Sequence, residues 1–501
     1  MGKMRDKVAK GLFWVLMEKL GLQFVHFIVT LILARLLTPN DYGTVALLSI
    51  FITISNVFVD CGFGKALVQK KNATQVDMNS AFYLSVVIAL VLYAALFVAA
   101  PWVADFYAIP ELKIMLRILA LSLIFHSING VQNVELNRKM LFHLSFRISW
   151  VRSIVSAVTG ITMAFLGYGA WALVWSTLSG GIIGMIARQL VIRWRPTLTF
   201  SWSSVRELYC FGWKVSATSV LNQAYADLQG LLIGKFYSRA DLAFVNKGRH
   251  IPVLISGLVQ GSLTRVSFSA LSKLQNEPDR MCNAMRRMIR TTTFLIYPMM
   301  VVLGVLAGPI IELLYGEKWL SAVPFLQVTC FAALLRPFDT VNMQAIMARG
   351  RSDLYFKLML LRRSLGLAIL LSTIHFGVFV FVATATFTVV PLGVIINTLP
   401  NARHLGYTLR MQFADVMESF GLAMFCGGLL FASTYLPVPR LVVLPMQLVS
   451  FGLLYFGVAL YLHMSPMVEI AKAVEPVLSK RLGEDSRIVR FLVCFAKGEV
   501  K

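Results

Sequence analysis

Long apolar stretches separated by short polar interruptions run along most of the chain. Within several stretches the few polar residues fall on one helical face. The first extends from about Val8 to Leu37, longer than the roughly 20 apolar residues that cross a bilayer. Lys19, Gln23, His26 and Thr30 recur in it at spacings of four, three and four. At 3.6 residues per turn they form one stripe. A cation such as Lys19 at bilayer depth costs about 3 kcal/mol or more unless it faces water or a partner. The stripe therefore predicts a helix with one wet face.

The same reading predicts fourteen spanning helices, at 8–37, 43–67, 79–104, 112–136, 143–166, 170–191, 208–236, 244–268, 288–315, 320–347, 355–375, 378–400, 412–435 and 441–463. The expected fold is an all-α polytopic membrane protein. Glu18-Lys19 in the first stretch, with no small-residue cleavage pattern, predicts a retained signal anchor. Residues 466–501 mix apolar and basic positions and predict an amphipathic tail at the lipid headgroups.

Composition supports the membrane assignment: only 14% of residues are charged, and mean hydropathy is +0.72. The net charge of +23 changes the picture only through its placement. Lys3, Arg5, Lys7, Lys70, Lys71, Arg138, Lys139, Arg188, Arg286, Arg287, Arg290, Arg362 and Arg363 fall in or beside alternate loops. The opposite loops hold little beyond Lys113, Arg239, Lys318 and Arg440. This asymmetry predicts cytoplasmic termini and assigns the basic excess to topology, not to nucleic acid. The six cysteines form no CxxC pair, and neither a Walker A nor a zinc pattern is present. No metal, no cofactor and no catalysis are expected.

An internal repeat organises the chain. Shifted by 200 residues, Ala34-Arg35-Leu36-Leu37-Thr38-Pro39-Asn40-Asp41 lies over Gly234-Lys235-Phe236-Tyr237-Ser238-Arg239-Ala240-Asp241, and Gln23 over Gln223. Two pseudo-symmetric six-helix lobes are expected, at 1–200 and 201–405, followed by two helices at 406–465 and the tail at 466–501.

Further stripes accompany the first: Ser49, Thr53, Asn56, Asp60 and Gly64; Ser145, Ser149, Arg152, Ser156 and Thr159; Lys214, Thr218, Asn222, Tyr225 and Gln229. Any single serine or threonine can bond its own helix backbone, but aligned stripes ending in charges predict a hydrated cavity. Cations outnumber anions in the spans: Lys19, Arg117, Arg152, Lys214, Lys247, Arg249 and Arg336 against Glu18, Asp60, Asp227 and Asp339. Such a cavity favours a multivalent anion such as a diphosphate. Internal ion pairing is the competing use, Asp339 with Arg336 for example. The expected substrate contacts are Lys19, Gln23, Arg152, Lys214 and Arg249. Asp60 and Asp227, with His26 as a proton carrier, are the expected ion-coupling groups, against a competing role in helix–helix bonding.

Ala34 to Gly43 resembles the signature after the first helix of polysaccharide flippases of the Wzx and colanic-acid-exporter type. These belong to the multidrug/oligosaccharidyl-lipid/polysaccharide transporter superfamily. Thr264 to Gln275 resembles that family's segment after the eighth helix, although Ser269 stands where the family usually has proline. Gly316-Glu317-Lys318-Trp319 resembles its G-x-x-W loop. The resemblance spans roughly residues 8–460. It implies export of an undecaprenyl-diphosphate-linked oligosaccharide across a bacterial inner membrane by alternating access, coupled to a proton or sodium gradient. It also implies a polymerase and export machinery as neighbours in the pathway. A drug antiporter of the same superfamily fits the basic interior poorly. A polysaccharide polymerase would need a large outer loop, which the sequence lacks.

Overall fold

A computed structural model of the chain describes residues 21–70, 73–192, 194–435 and 440–482. The described residues form helices joined by short loops, with no strand among them. Thirteen of the fourteen apolar stretches fall on described helices, and of the first, 8–37, residues 8–20 lie outside the described residues. Among the described residues, ten helical segments are both long and apolar enough to cross a membrane.

The chain forms two compact units, residues 1–243 and 244–501. The first holds α1 (Gly21–Leu36), α2 (Pro39–Asp60), α3 (Phe63–Gln69), α4 (Gln75–Tyr107), α5 (Glu111–Leu119), α6 (Ser122–Arg138), α7 (Phe142–Phe165), α8 (Ala170–Val191) and α9 (Trp202–Phe236). The unit boundary falls within α10 (Arg239–Lys273). The second unit continues with α11 (Pro278–Val305), α12 (Ala307–Tyr315), a 3-10 turn (Glu317–Ala322), α13 (Val323–Ala348), α14 (Ser352–Thr373) and α15 (Val378–Thr384). After a π turn (Ala385–Val389) come α16 (Val390–Leu405), α17 (Leu409–Ser433), α18 (Arg440–Tyr461) and α19 (Ser465–Leu482).

The repeated octapeptide is a pair of helix starts. Thr38 caps α2: its backbone N–H and hydroxyl donate to Asp41 Oδ2 at 2.9 and 2.6 Å, and its Oγ1 accepts from the Asp41 amide at 3.3 Å. Ser238 and Asp241 repeat this at the start of α10, with distances of 3.1, 2.7 and 3.0 Å. Each box satisfies amides that a helix N-terminus leaves unbonded. The two boxes also meet. A Cβ on Gly43 would lie 1.8 Å from the Arg239 carbonyl oxygen, so only glycine fits there.

Packing in the first unit follows amphipathic faces. α5 turns Leu112, Met115, Leu116 and Leu119 inward, against buried Leu48, Ile52 and Val59 of α2 and Val174 and Leu178 of α8. α4, by contrast, leaves Val87, Val91, Val98 and Trp102 exposed, as a lipid-facing helix does. α7 and α8 are joined by a polar zipper: Ser156 and Ser176 exchange hydroxyl-to-carbonyl bonds at 2.8 Å each. Ser156 thus serves helix packing and not the cavity its stripe predicted.

Some predicted spans are interrupted. The 43–67 stretch breaks between α2 and α3, and 112–136 divides into α5 and α6. Pro252, Pro298 and Pro337 lie inside continuous helices, whereas Pro391 follows the π turn.

Candidate substrate and coupling site

The break in the second predicted span creates the most distinctive geometry of the first unit. α2 ends at Asp60, and the next two residues are left-handed: Cys61 at φ 42° and Gly62 at φ 71°. The cysteine's conformation costs about 1–2 kcal/mol, a strain that concentrates at functional positions. The break is seated on α9 through a second glycine. A Cβ on Gly62 would lie 2.4 Å from the Gly212 carbonyl oxygen, and one on Gly212 would lie 2.8 Å from the Cys61 carbonyl oxygen.

Beside this break is a cavity of about 710 Å3, lined by Asp60, His126, Asn133, Asn137, Ser216 and Ser219 among others. His126 Nε2, on α6, lies 3.0 Å from Asp60 Oδ1. An imidazole and a carboxylate so placed can share one proton as a neutral pair. The C-terminal end of α2 adds partial negative charge at this point, which favours a cation or proton there. The sequence pattern offers Asp60 as a candidate but not His126. No local period links positions 66 residues apart.

Arg188 reaches the same cavity wall. Only 8% exposed, it donates from Nε to Asn133 Oδ1 at 3.3 Å and from Nη1 to the Gly184 carbonyl at 3.3 Å. Arg152 runs beside it: Arg152 Cδ and Arg188 Nη1 both come within 3.4 Å of the point where a Cβ on Gly184 would be. Two guanidinium side chains therefore share the space that glycine leaves open. Arg188 looked like a loop cation in the sequence, yet it is buried.

The other expected site residues are distributed as follows. Lys19 lies outside the described residues. Gln23 is half-buried on α1, and on the same helix Thr30 Oγ1 lies 3.1 Å from His26 Nδ1. Lys214 is on α9, with its side chain outside the described part. On α9 too, Asp227 accepts from Gln223 Nε2 at 2.7 Å, one helical turn away. Arg249 is half-buried on α10, in the second unit.

Two cations proposed for the cavity are instead used in packing. Arg117 stacks over the Phe97 ring at 4.1 Å and donates to the Phe97 carbonyl at 3.1 Å. Lys247 is buried between the Tyr315 and Trp319 rings, 5.2 and 5.5 Å from their centres. This explains the tryptophan of the G-x-x-W loop, which is fully buried.

The second unit carries a polar network. Asp339 takes Arg362 Nη1 on both carboxylate oxygens at 2.8 Å, together with Asn397. Its side-chain partner is thus Arg362 of α14, not Arg336. Buried Asp415 of α17 receives Arg286 through two bonds of 2.8 Å, Arg290, and the Tyr407 hydroxyl at 2.9 Å. Burial first, then the neighbouring Asp415 charge, pushes the Tyr407 phenol well above its ordinary range, so it stays a donor. Arg286, Arg290 and Arg362, counted above as topology charges, are therefore also structural ties.

A helical membrane fold with this polar interior is compatible with several transporter families, and sequence comparison decides among them. Residues 32–324 match the family described as "Polysaccharide biosynthesis protein". The chain belongs to this family. Among the family's curated relatives, the teichuronic acid biosynthesis protein TuaB of Bacillus subtilis is 23% identical over 71% of this chain and 74% of its own length. The lipopolysaccharide biosynthesis protein WzxC of Escherichia coli is 22% identical over 71% of this chain and 72% of its own. The succinoglycan biosynthesis transport protein ExoT of Rhizobium meliloti is 25% identical over 66% and 68%. In fold the chain is similar to the lipid II flippase MurJ in an inward closed conformation, with a TM-score of 0.71 at 15% identity over 89% of this chain and 97% of that one. An inward-facing multidrug resistance MATE transporter gives 0.57 at 13% identity, over 77% and 96%. The fold is that of the superfamily which the sequence signature resembles.

Proposed function

We propose that this member of the family translocates an undecaprenyl-diphosphate-linked oligosaccharide from the inner to the outer leaflet of a bacterial inner membrane, for surface polysaccharide assembly. The observation that carries the reading is the family match over residues 32–324, made by a chain that also has the fold of a lipid flippase. The relatives' names supply the pathway: two are named for biosynthesis of surface polymers, and a third for succinoglycan transport. The chain acts as a carrier and not as a catalyst. Both termini face the cytoplasm, in keeping with the loop charges, and polymerase and export machinery take up the product.

Within this reading the diphosphate is bound by guanidinium and ammonium groups, and the candidate contacts are Lys19, Gln23, Arg152, Lys214 and Arg249. The Arg152 and Arg188 side chains pass each other over Gly184, and a guanidinium can bind phosphate oxygens through two parallel N–H bonds. Movement is by alternating access, driven by a proton or sodium gradient. Asp60 is the leading coupling group, with Asp227 and His26 as further candidates. The pairing with His126 favours a proton over sodium, because a metal ion would have to displace the imidazole.

The test is complementation. In a host deleted for its own flippase, the wild-type gene restores surface polysaccharide, whereas Arg152→Ala reduces it and leaves lipid-linked repeat units on the inner leaflet. Silence of Arg152→Ala, Lys19→Ala and Arg249→Ala together overturns the cationic-cavity reading.

A further inference from the structure

A second cavity, of about 970 Å3, lies within the second unit among residues of α10, α11 and α19. None of the polar stripes points to it. Its volume is at the top of the usual range for ligand pockets, about 300–1,000 Å3. Its chemistry is graded along α11. Val259, Leu263 and Leu295 line the apolar part, and Arg280 and Arg287 stand nearer the start of the helix, joined by Lys472 from α19. Arg280 and Leu295 are separated by about 22 Å of helix at 1.5 Å per residue.

Four arginines of α11 divide into two pairs by face. Arg286 and Arg290 turn to Asp415, whose side chain is 2% exposed, and are held there. Arg280 and Arg287, seven residues apart and so on one face, line the cavity, with side chains 70% and 69% exposed. Their carboxylate neighbours are Glu277 at 2.6 Å and Glu469 at 3.5 Å. Exposed pairs of this kind are weak, so both guanidiniums remain available to a stronger anion. Glu469 also accepts from Thr291 Oγ1 at 2.9 Å, which pins α19 to α11 as one wall of the cavity.

We propose that this cavity is a binding site for an anionic phospholipid. Its acyl chains lie against Val259, Leu263 and Leu295, and its phosphate lies between Arg280, Arg287 and Lys472. A soluble anion would leave the apolar part uncovered, and a zwitterionic lipid would bring its own cation against the basic rim. Basic pockets between membrane helices at the cytoplasmic face are suited to anionic headgroups. Such a lipid would bridge α19 to α10 and α11, so its site is distinct from the cavity beside Asp60.

The experiment is a binding titration of the purified full-length protein in neutral detergent with phosphatidylglycerol and with phosphatidylcholine, read by native mass spectrometry. The expected result is a preference of about tenfold or more for phosphatidylglycerol, as several basic side chains near one headgroup provide. Replacing both arginines, Arg280→Gln with Arg287→Gln, should reduce that preference to about threefold or less. Ala284→Phe, which fills the cavity without removing a charge, should weaken both lipids. Both arginines are exposed, so these variants should elute and melt as the wild type does. Equal binding of the two lipids by the wild type, or a preference that survives the double substitution, overturns the proposal. So does displacement of phosphatidylglycerol by an equimolar amount of undecaprenyl phosphate, which would assign the cavity to the cargo lipid. Displacement by millimolar inorganic phosphate would assign it to a soluble anion.

Discussion

Asp60 ends α2 and meets His126 of α6 at 3.0 Å, immediately before the chain turns left-handed at Cys61 and Gly62. A titratable pair is thereby fixed to a break in a membrane helix, at the wall of a cavity of about 710 Å3.

If the pair couples transport to protons, Asp60→Asn should abolish stimulation by a pH gradient in vesicles loaded with lipid-linked oligosaccharide, while leaving the protein's membrane level unchanged. His126→Gln should do the same. The double variant should be no worse than either alone, because the two side chains act as one unit. Transport that is unaffected in both single variants removes the pair from coupling.

The glycine contact beneath the break has a mechanical consequence. Gly62→Ala must place a Cβ 2.4 Å from a backbone oxygen at φ 71°, so the helix has to shift. A loss of about 1–3 kcal/mol is expected, seen as a lower melting temperature in detergent. Gly130 lines the same cavity, and a Cβ there meets nothing within 4 Å. Gly130→Leu should therefore melt like the wild type and yet reduce complementation by filling the cavity.

Asp415 supports three partners from one buried carboxylate. Asp415→Asn leaves Arg286 and Arg290 without their counter-charge. Breaking a buried pair costs about 3–5 kcal/mol, and here somewhat less, about 2–4, because both guanidiniums are about a third exposed. Thermal unfolding in detergent should show the loss, and fractionation should show less protein in the membrane.

The twin capping boxes predict matched effects. Thr38→Ala and Ser238→Ala each remove a side chain that both donates to and accepts from an aspartate three residues on. Each should cost about 1 kcal/mol. Thr38→Ser should be nearly silent.

Much of this was legible in the chain. The described parts of the apolar stretches fall on helices because a backbone in lipid must bond to itself along contiguous sequence. The octapeptide repeat proved to be local chemistry, an exchange of bonds over three residues, and such chemistry is written directly into neighbouring positions. Asp60 was named as a coupling candidate from its stripe, and its contact with His126 was not legible there. Arg188 and Arg286 were read as loop charges, because composition shows a cation but not what encloses it.

The sequence by itself determined which stretches are helical, though not the breaks within them, and which family the chain belongs to. Tertiary structure alone decided the partners: His126 for Asp60, Arg362 for Asp339, Asp415 for Arg286 and Arg290, and Arg188 beside Arg152 over a glycine. The reason is physical. Hydrophobicity and capping act over one or two turns and leave a period in the chain. An ion pair between helices depends on their rotation and depth, which are set by packing across residues far apart in sequence.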